Sequence, residues 1–170
     1  MKSLTRKAAS LLAVTALALT AVATPAPPSH SIAPIATGFA KPNSASGNDS
    51  RIYFAAYENA DGTVAGGGVL INYTLDVRIY FDFTSTLVNG EDTYLAGPVT
   101  HVVGAGPPVG ATALIAVQDN GVGYPSPDLV SNLFVLPPVP FETAQDVLDI
   151  AGPIPESQFF TLAWGDMKEY

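Results

Sequence analysis

The stretch "DVRIYFDFTSTLVNGEDTYLAGPVTHVV", residues 76–103, decides the fold class of this chain. Apolar and polar residues alternate along its first half, and this period of two predicts a strand with one core face and one solvent face. The apolar set is Val77, Ile79, Phe81 and Phe83, and the intervening set is Arg78, Tyr80, Asp82 and Thr84. Asn89-Gly90 is the strongest two-residue signal for a β-hairpin. The second half reads as the returning strand, in which Pro98 indicates a bulge or an edge position.

A second predicted hairpin precedes this stretch. The compact aromatic segment "RIYFAAY" (51–57) is typical of a strand, and "TVAGGGVLINYT" (63–74) reads as its returning partner. The turn between them contains Asn59, Asp61 and Gly62, which tolerate left-handed backbone conformations. The three glycines at 66–68 indicate a bulge or a close backbone approach.

Further strands and one helix are predicted after residue 110. "ATALIAVQ" (111–118) is apolar on both faces, which indicates a central strand covered on both sides, and "LVSNLFVL" (129–136) reads as another strand. Apolar residues at helical spacing predict one short helix near 143–151, with Thr143 and Asp146 forming a capping box. The tail, "FFTLAWGDMKEY" (159–170), reads as a last strand or strand pair.

These elements predict an all-β fold, namely an antiparallel β-sandwich or small barrel of about seven or eight strands with one short helix. Residues 51–170 are expected to form a single β-domain. Residues 24–50 are rich in Pro, Ser and Ala and are predicted to be a disordered tether, although "SIAPIATGFA" (31–40) could dock as an edge segment.

The N-terminus predicts export to the extracellular side. Residues 1–23 combine a basic start, an apolar stretch and a small-residue cleavage site, as a signal peptide does, so no transmembrane segment is expected after cleavage. Cleavage removes three of the seven Lys and Arg and leaves four against 15 Asp and Glu, a formal charge of −11. Such a chain repels phosphate backbones, so nucleic acid is not expected as a partner.

The sequence contains no recognisable catalytic constellation. His101 is the one histidine of the predicted β-domain, the chain has no cysteine, and no spacing marks a pair of catalytic carboxylates. We therefore predict a binding or structural module at the cell surface or in the medium. A hydrolase acting on extracellular carbohydrate or lipid is the alternative.

Exposed aromatic residues are the first candidate site. Tyr80 shares its predicted strand face with Arg78 and Asp82. Aromatic rings with polar neighbours can bind sugars or apolar ligands, and an exposed aromatic patch can be a site for a protein partner. Tyr53, Tyr57, Tyr73 and Tyr94 are candidates for similar faces. The expected partner of such an aromatic face is a cell-wall glycan or another surface protein. The alternative is that the tyrosines only pack across strands.

The loop "VQDNGVGYPSPD" (117–128) is the second candidate site. Asp119, Asn120 and Asp128 offer three oxygen-bearing side chains for a weakly bound calcium ion, and no other cofactor is predicted. The spacing is not that of an EF-hand, and the alternative is a structural turn shaped by local hydrogen bonds, glycines and prolines.

Three segments in a fixed order carry a resemblance to a known family. "ADGTVAGG", "VNGEDTYLAG" and "VQDNGVGYPSPD", with "WGDMKEY" as a closing strand, resemble a widespread family of small secreted bacterial proteins and appended modules with no established function. The resemblance implies an exported β-domain and supplies no catalytic residues. This chain departs from the family pattern because it lacks the usual cysteines and carries the predicted helix as an insert.

Overall fold

A computed structural model describes residues 33–41, 49–118, 120 and 128–161, and within these ranges the chain is mostly antiparallel β-structure. The strands are β1 (Ala33–Ala40), β2 (Ser50–Glu58), β3 (Val64–Asn72), β4 (Val77–Asp82), β5 (Ser85–Asn89), β6 (Asp92–Val103), β7 (Thr112–Gln118), β8 (Leu129–Ser131), β9 (Phe134–Leu136) and β10 (Phe159–Thr161). Helix α1 spans Ala144–Ala151, and a short 3-10 turn spans Glu156–Gln158.

The strands form one nearly closed, barrel-like sheet in the order β1-β2-β3-β4-β6-β7-β8-β10. β5 pairs with one half of β6, and β9 pairs with one end of β7. The predicted all-β class with one short helix is confirmed. The described residues contain ten strands rather than seven or eight, partly because two segments read as single strands are split. These are 76–87, which contains β4 and the start of β5, and 129–136, which contains β8 and β9.

The alternation in residues 76–84 is confirmed residue by residue. The apolar set is buried, whereas Arg78, Asp82 and Thr84 are exposed and Tyr80 is half-buried. The hairpin at Asn89-Gly90 is also confirmed, with Asn89 paired to Asp92. Its two loop residues are therefore Gly90 and Glu91, and a glycine with positive φ (70°) at the first of them is typical of a type II′ turn.

Pro98 lies in the interior of the long strand β6 rather than at a sheet edge. The partner strand on one side of β6 changes here, from β5 (opposite residues 92–96) to β4 (opposite residues 99–103), and the β4 pairing contains a bulge. The neighbouring Val99 N–H donates to the carbonyl oxygen of Ala111, which directly precedes β7. Because successive amides point to opposite sides of a strand, the Pro98 nitrogen faces the gap between β5 and β4, where no donor is needed.

Two apolar clusters lie on the two sides of the sheet, and β7 contributes to both. Ala113, Ile115 and Val117 point into the barrel interior, with the inward residues of β2, β4 and β6. Leu114 and Ala116 point outward and pack with α1. The prediction of a central strand covered on both faces is confirmed.

Helix α1 starts where the capping box predicts. The Thr143 hydroxyl oxygen accepts from the Asp146 N–H at 3.2 Å, and the Asp146 carboxylate accepts from the Thr143 N–H at 2.8 Å. These two bonds satisfy backbone groups that the first helical turn leaves unpaired. Ala144 and Val147 then bury the inner face of the helix against the outer side of the sheet.

Strand structure begins earlier than residue 51. Residues 33–40, which belong to "SIAPIATGFA" in the range predicted as a tether, form β1 and pair along the edge of β2. Residues 1–32, including the predicted signal peptide, lie outside the described residues, as does "WGDMKEY". In the part of the chain that the structure describes, no helix has the length and apolarity to cross a membrane.

Candidate functional site

A row of mostly aromatic side chains crosses the outer face of the sheet. Strand register places Phe39, Tyr53, Val69, Tyr80 and His101 directly opposite one another on β1, β2, β3, β4 and β6. Residues opposite each other in antiparallel strands share a face. On β2 and β4 the neighbours of Tyr53 and Tyr80 along the strand are buried core residues, namely Ile52, Phe54, Ile79 and Phe81. We call this set the aromatic row.

The aromatic row consists of two ring pairs separated by a shorter side chain. Phe39 and Tyr53 stack with their centroids 4.6 Å apart, and Tyr80 packs against His101 at 5.6 Å. Val69 lies between the pairs. Since neighbouring strands are ~4.8 Å apart, the backbones of Tyr53 and Tyr80 are roughly 10 Å apart. The two tyrosines therefore flank a depression over Val69.

This depression is an open groove with a volume of about 490 Å³. Its lining residues are Gly38, Tyr53, Phe54, Ala55, Gly67, Gly68, Val69 and Tyr80. The floor is formed by small residues because the strands approach closely there. A Cβ at Gly67 would lie 2.4 Å from Phe81 O, and one at Gly68 would lie 2.5 Å from Tyr53 O. The close backbone approach predicted for these glycines is confirmed.

A second row, with two arginines, runs beside the aromatic row. Register aligns Arg51, Ile71, Arg78 and Val103 on β2, β3, β4 and β6, two residues along each strand from the aromatic row. We call this set the arginine row. Two residues of a strand correspond to roughly 6.8 Å, so an arginine side chain from this row can reach a ligand lying on the rings.

Arg51 is held in place by the tyrosines around it. Its guanidinium lies 4.9 Å from the centroid of the Tyr73 ring, a cation–π geometry. A hydrogen bond with the Tyr53 side chain is the largest of the effects that raise the pKa of Arg51 above its ordinary value. An arginine is always charged at neutral pH, so the guanidinium offers a fixed positive charge next to Tyr53, which forms one wall of the groove.

The three predicted site residues Arg78, Tyr80 and Asp82, called the trio below, lie together on the outer face of β4. Arg78 belongs to the arginine row and Tyr80 to the aromatic row, and Asp82, opposite Gly67, lies on the other side of the aromatic row from Arg78. Arg78 and Asp82 are exposed. The placement on one face follows the sequence reasoning, and the binding role of the trio stays a prediction.

The other tyrosines differ in environment. Tyr53 and Tyr73 are exposed on or beside this face, at 38% and 51%. Tyr94 is fully buried beneath α1, where burial raises the pKa of its hydroxyl, so its expected place on a similar face is wrong. Sequence reasoning missed Phe39 and Val69 as site residues, and it read His101 only as a surface or half-buried strand residue. His101 is exposed and packs on Tyr80.

Of the loop at 119–128, the structure describes Asn120 and Asp128. The Asn120 N–H donates to the Asp128 carboxylate at 3.2 Å, a local hydrogen bond of the kind expected for a structural turn. Asp119 lies outside the described residues, as do residues 121–127. Among the described residues, no group of three or more His, Asp or Glu side chains could hold a metal ion. The calcium hypothesis for this loop stays a prediction.

No protein-family model, curated protein or solved structure matches this chain. The geometry of the outer face of β1–β4 and β6 is therefore the basis for a functional proposal.

Proposed function

We propose that this protein is a binding module whose ligand is a carbohydrate chain lying along the aromatic row. The observation that carries the proposal is the alignment of Tyr53 and Tyr80 on either side of an open groove over Val69. The C–H faces of a sugar ring pack favourably on an aromatic face, whose π-system carries partial negative charge.

The shape of the groove favours a polymer over a small molecule. Pockets for small molecules usually enclose most of the surface of the ligand, whereas this groove is shallow and open. The aromatic row crosses four strand spacings from Phe39 to His101, or roughly 19 Å. A row of that length supplies successive contacts for several units of an extended chain.

The backbone of the site argues against a peptide bound by strand addition. β2, β3 and β4 are each paired on both sides, so their N–H and C=O groups already bond to neighbouring strands. Strand addition requires a free edge. Ligand contacts at the groove must therefore come from side chains, and the tyrosine hydroxyls, Arg78, Asp82 and His101 supply donors and acceptors for sugar hydroxyls.

The predicted export of the chain fits this role, because extracellular glycans are then accessible. We place the module at the cell surface or in the medium. Hydrolase activity and calcium binding remain alternative predictions from the sequence, and no contact at the groove favours either.

Retention on insoluble polysaccharides tests the proposal. The purified protein is incubated with cellulose, chitin, xylan and peptidoglycan, and bound and free fractions are measured for wild type, Tyr80→Ala and Ile150→Ala. Ile150 is a control because it is 55% exposed on α1, away from the groove. We expect retention on at least one polymer, weakened about tenfold by Tyr80→Ala and unchanged by Ile150→Ala, since aromatic anchors dominate binding surfaces.

Thermal melts establish that Tyr80→Ala is folded. The proposal is wrong if the wild-type protein is retained by none of the four polymers. It is equally wrong if folded Tyr80→Ala is retained as strongly as the wild-type protein.

A further inference from the structure

Two of the positive charges of this acidic protein lie beside the aromatic row. The chain has 15 Asp and Glu against seven Lys and Arg, a formal net charge of −8. Among the described residues the cations are Lys41, Arg51 and Arg78. The two arginines lie in the arginine row, and Lys41 directly follows the last residue of β1.

The two arginines differ from Lys41 in their partners. Lys41 Nζ lies 3.4 Å from the Asp49 carboxylate and is therefore already paired. Within the described ranges, neither Arg51 nor Arg78 forms a salt bridge. Arg51 is positioned by two tyrosines, and Arg78 is exposed next to Tyr80. Their guanidinium groups thus remain available to an anion on the ligand.

The charges are also arranged asymmetrically about the aromatic row. The arginine row lies on one side of the aromatic row, whereas Asp82 lies on the other, two residues from Tyr80 in the opposite direction along β4. An acidic sugar ring stacked on Tyr80 would direct its anionic substituent toward Arg78 and away from Asp82. A guanidinium matches the planar geometry of a carboxylate and can bind it through two parallel hydrogen bonds.

We propose, on the basis of the carbohydrate-binding function proposed above, that the ligand is an acidic glycan whose uronic acid carboxylates bind to Arg78 and Arg51. The rings of such a chain lie on the aromatic row, and its carboxylates extend the roughly 6.8 Å to the arginine row. A chain with one charge per acidic sugar suits two arginines roughly 10 Å apart. The net negative charge of the protein repels any polyanion, so the contacts with the two arginines must outweigh this repulsion.

Single-stranded nucleic acid is the main competing ligand, because it also uses aromatic stacking and arginines. The net charge of −8 opposes it, since the affinity of such sites depends on neutralising many phosphates. A nucleic acid probe is therefore included in the test.

Isothermal titration calorimetry with matched probes tests the inference. The full chain is titrated with oligogalacturonate, with the same oligomer methyl-esterified so that its carboxylates are masked, and with oligothymidylate. The variants are Arg78→Gln, Arg78→Lys and Tyr80→Ala, and each is first shown to be folded by thermal melts.

We expect wild type to bind the acidic oligomer at least about tenfold more tightly than the ester, a difference of about 1.4 kcal/mol. Arg78→Gln should remove the part of this preference that Arg78 contributes, while Arg51 keeps the rest and the affinity for the ester is unchanged. Arg78→Lys should keep some of the Arg78 contribution, because the charge remains and the bidentate geometry is lost. Tyr80→Ala should weaken binding of both oligomers.

Equal wild-type affinity for the two oligomers would overturn the acidic-glycan inference, and so would an unchanged preference in Arg78→Gln. Failure of wild type to bind either oligomer would overturn it too, whereas Tyr80-dependent retention on a polysaccharide would still support the proposed function. Tighter binding of oligothymidylate would replace the glycan with nucleic acid.

Discussion

The close approach of β3 to β2 at Gly66 predicts a large loss of stability for Gly66→Ala. Gly66 has φ = 132°, a backbone conformation that residues with a Cβ rarely adopt. A Cβ added there would lie 2.1 Å from Ala55 O and 2.9 Å from Ala56 Cα, both backbone atoms of the paired strand. Backbone in the middle of a sheet cannot rotate away as a side chain can, so the two strands must separate or the ladder must break.

The expected loss has a backbone part and a packing part. The positive φ costs about 1–2 kcal/mol for alanine. Forcing one extra carbon into closely packed surroundings costs about 1–3 kcal/mol. The sum is about 2–5 kcal/mol, against a total stability of about 5–15 kcal/mol for a typical domain. At about 4 °C per kcal/mol, Tm should fall by about 8–20 °C.

Gly62→Ala is the matched control, because Gly62 also has positive φ (80°) but no atom within 4 Å of the added Cβ. It should show only the backbone part, about 1–2 kcal/mol. Urea unfolding followed by far-ultraviolet circular dichroism measures both variants. Equal losses in the two variants would refute the packing argument, and a loss below about 1 kcal/mol in Gly66→Ala would refute the whole reasoning.

Three further predictions concern other parts of the chain. Tyr94→Phe should cost about 1–2 kcal/mol in urea unfolding, because the buried hydroxyl donates to Asp92 at 3.1 Å and accepts from Ile154 N–H at 3.2 Å, and unchanged stability would contradict this. Hydrogen bonds from Thr143 lower the pKa of Asp146 below its ordinary 3.8. The stability from this carboxylate is therefore present above that value and lost as the pH falls through the lower folded-state pKa. Acid unfolding should accordingly show a smaller pH-dependent loss in Thr143→Val than in wild type, and parallel pH profiles would count against it. If the 119–128 loop binds calcium, millimolar calcium should raise Tm relative to chelator in wild type and not in Asp128→Ala, and identical wild-type melts would end that hypothesis.

Local patterns explain what sequence reasoning predicted correctly. The period of two in residues 76–84, the turn at Gly90 and the cap at Thr143 each depend on residues within a few positions of one another. The two-sided burial of β7 follows in the same way, since both alternate sets of its residues are apolar.

Strand limits and strand identity were harder to predict because they depend on partners distant in sequence. Residues 33–40 contain a proline and have no clear apolar period, yet they form β1, paired along the exposed edge of β2. The segment 129–136 divides at Asn132, because β8 and β9 pair with opposite ends of β7. Pro98 indicated a bulge or an edge. Its interior position depends on where, along β6, pairing with β5 changes to pairing with β4.

The sequence by itself determined the all-β class, the faces of the individual strands and the helix with its cap, because these depend on local side-chain periodicity and backbone chemistry. It placed Arg78, Tyr80 and Asp82 on one face for the same reason. Only the tertiary structure decided that Phe39, Tyr53, Val69 and His101 align with Tyr80, and that Arg51 and Arg78 share the row beside them. Strand order and register bring these residues together from segments as far apart as Phe39 and His101, 62 positions along the chain, and no local pattern carries that information.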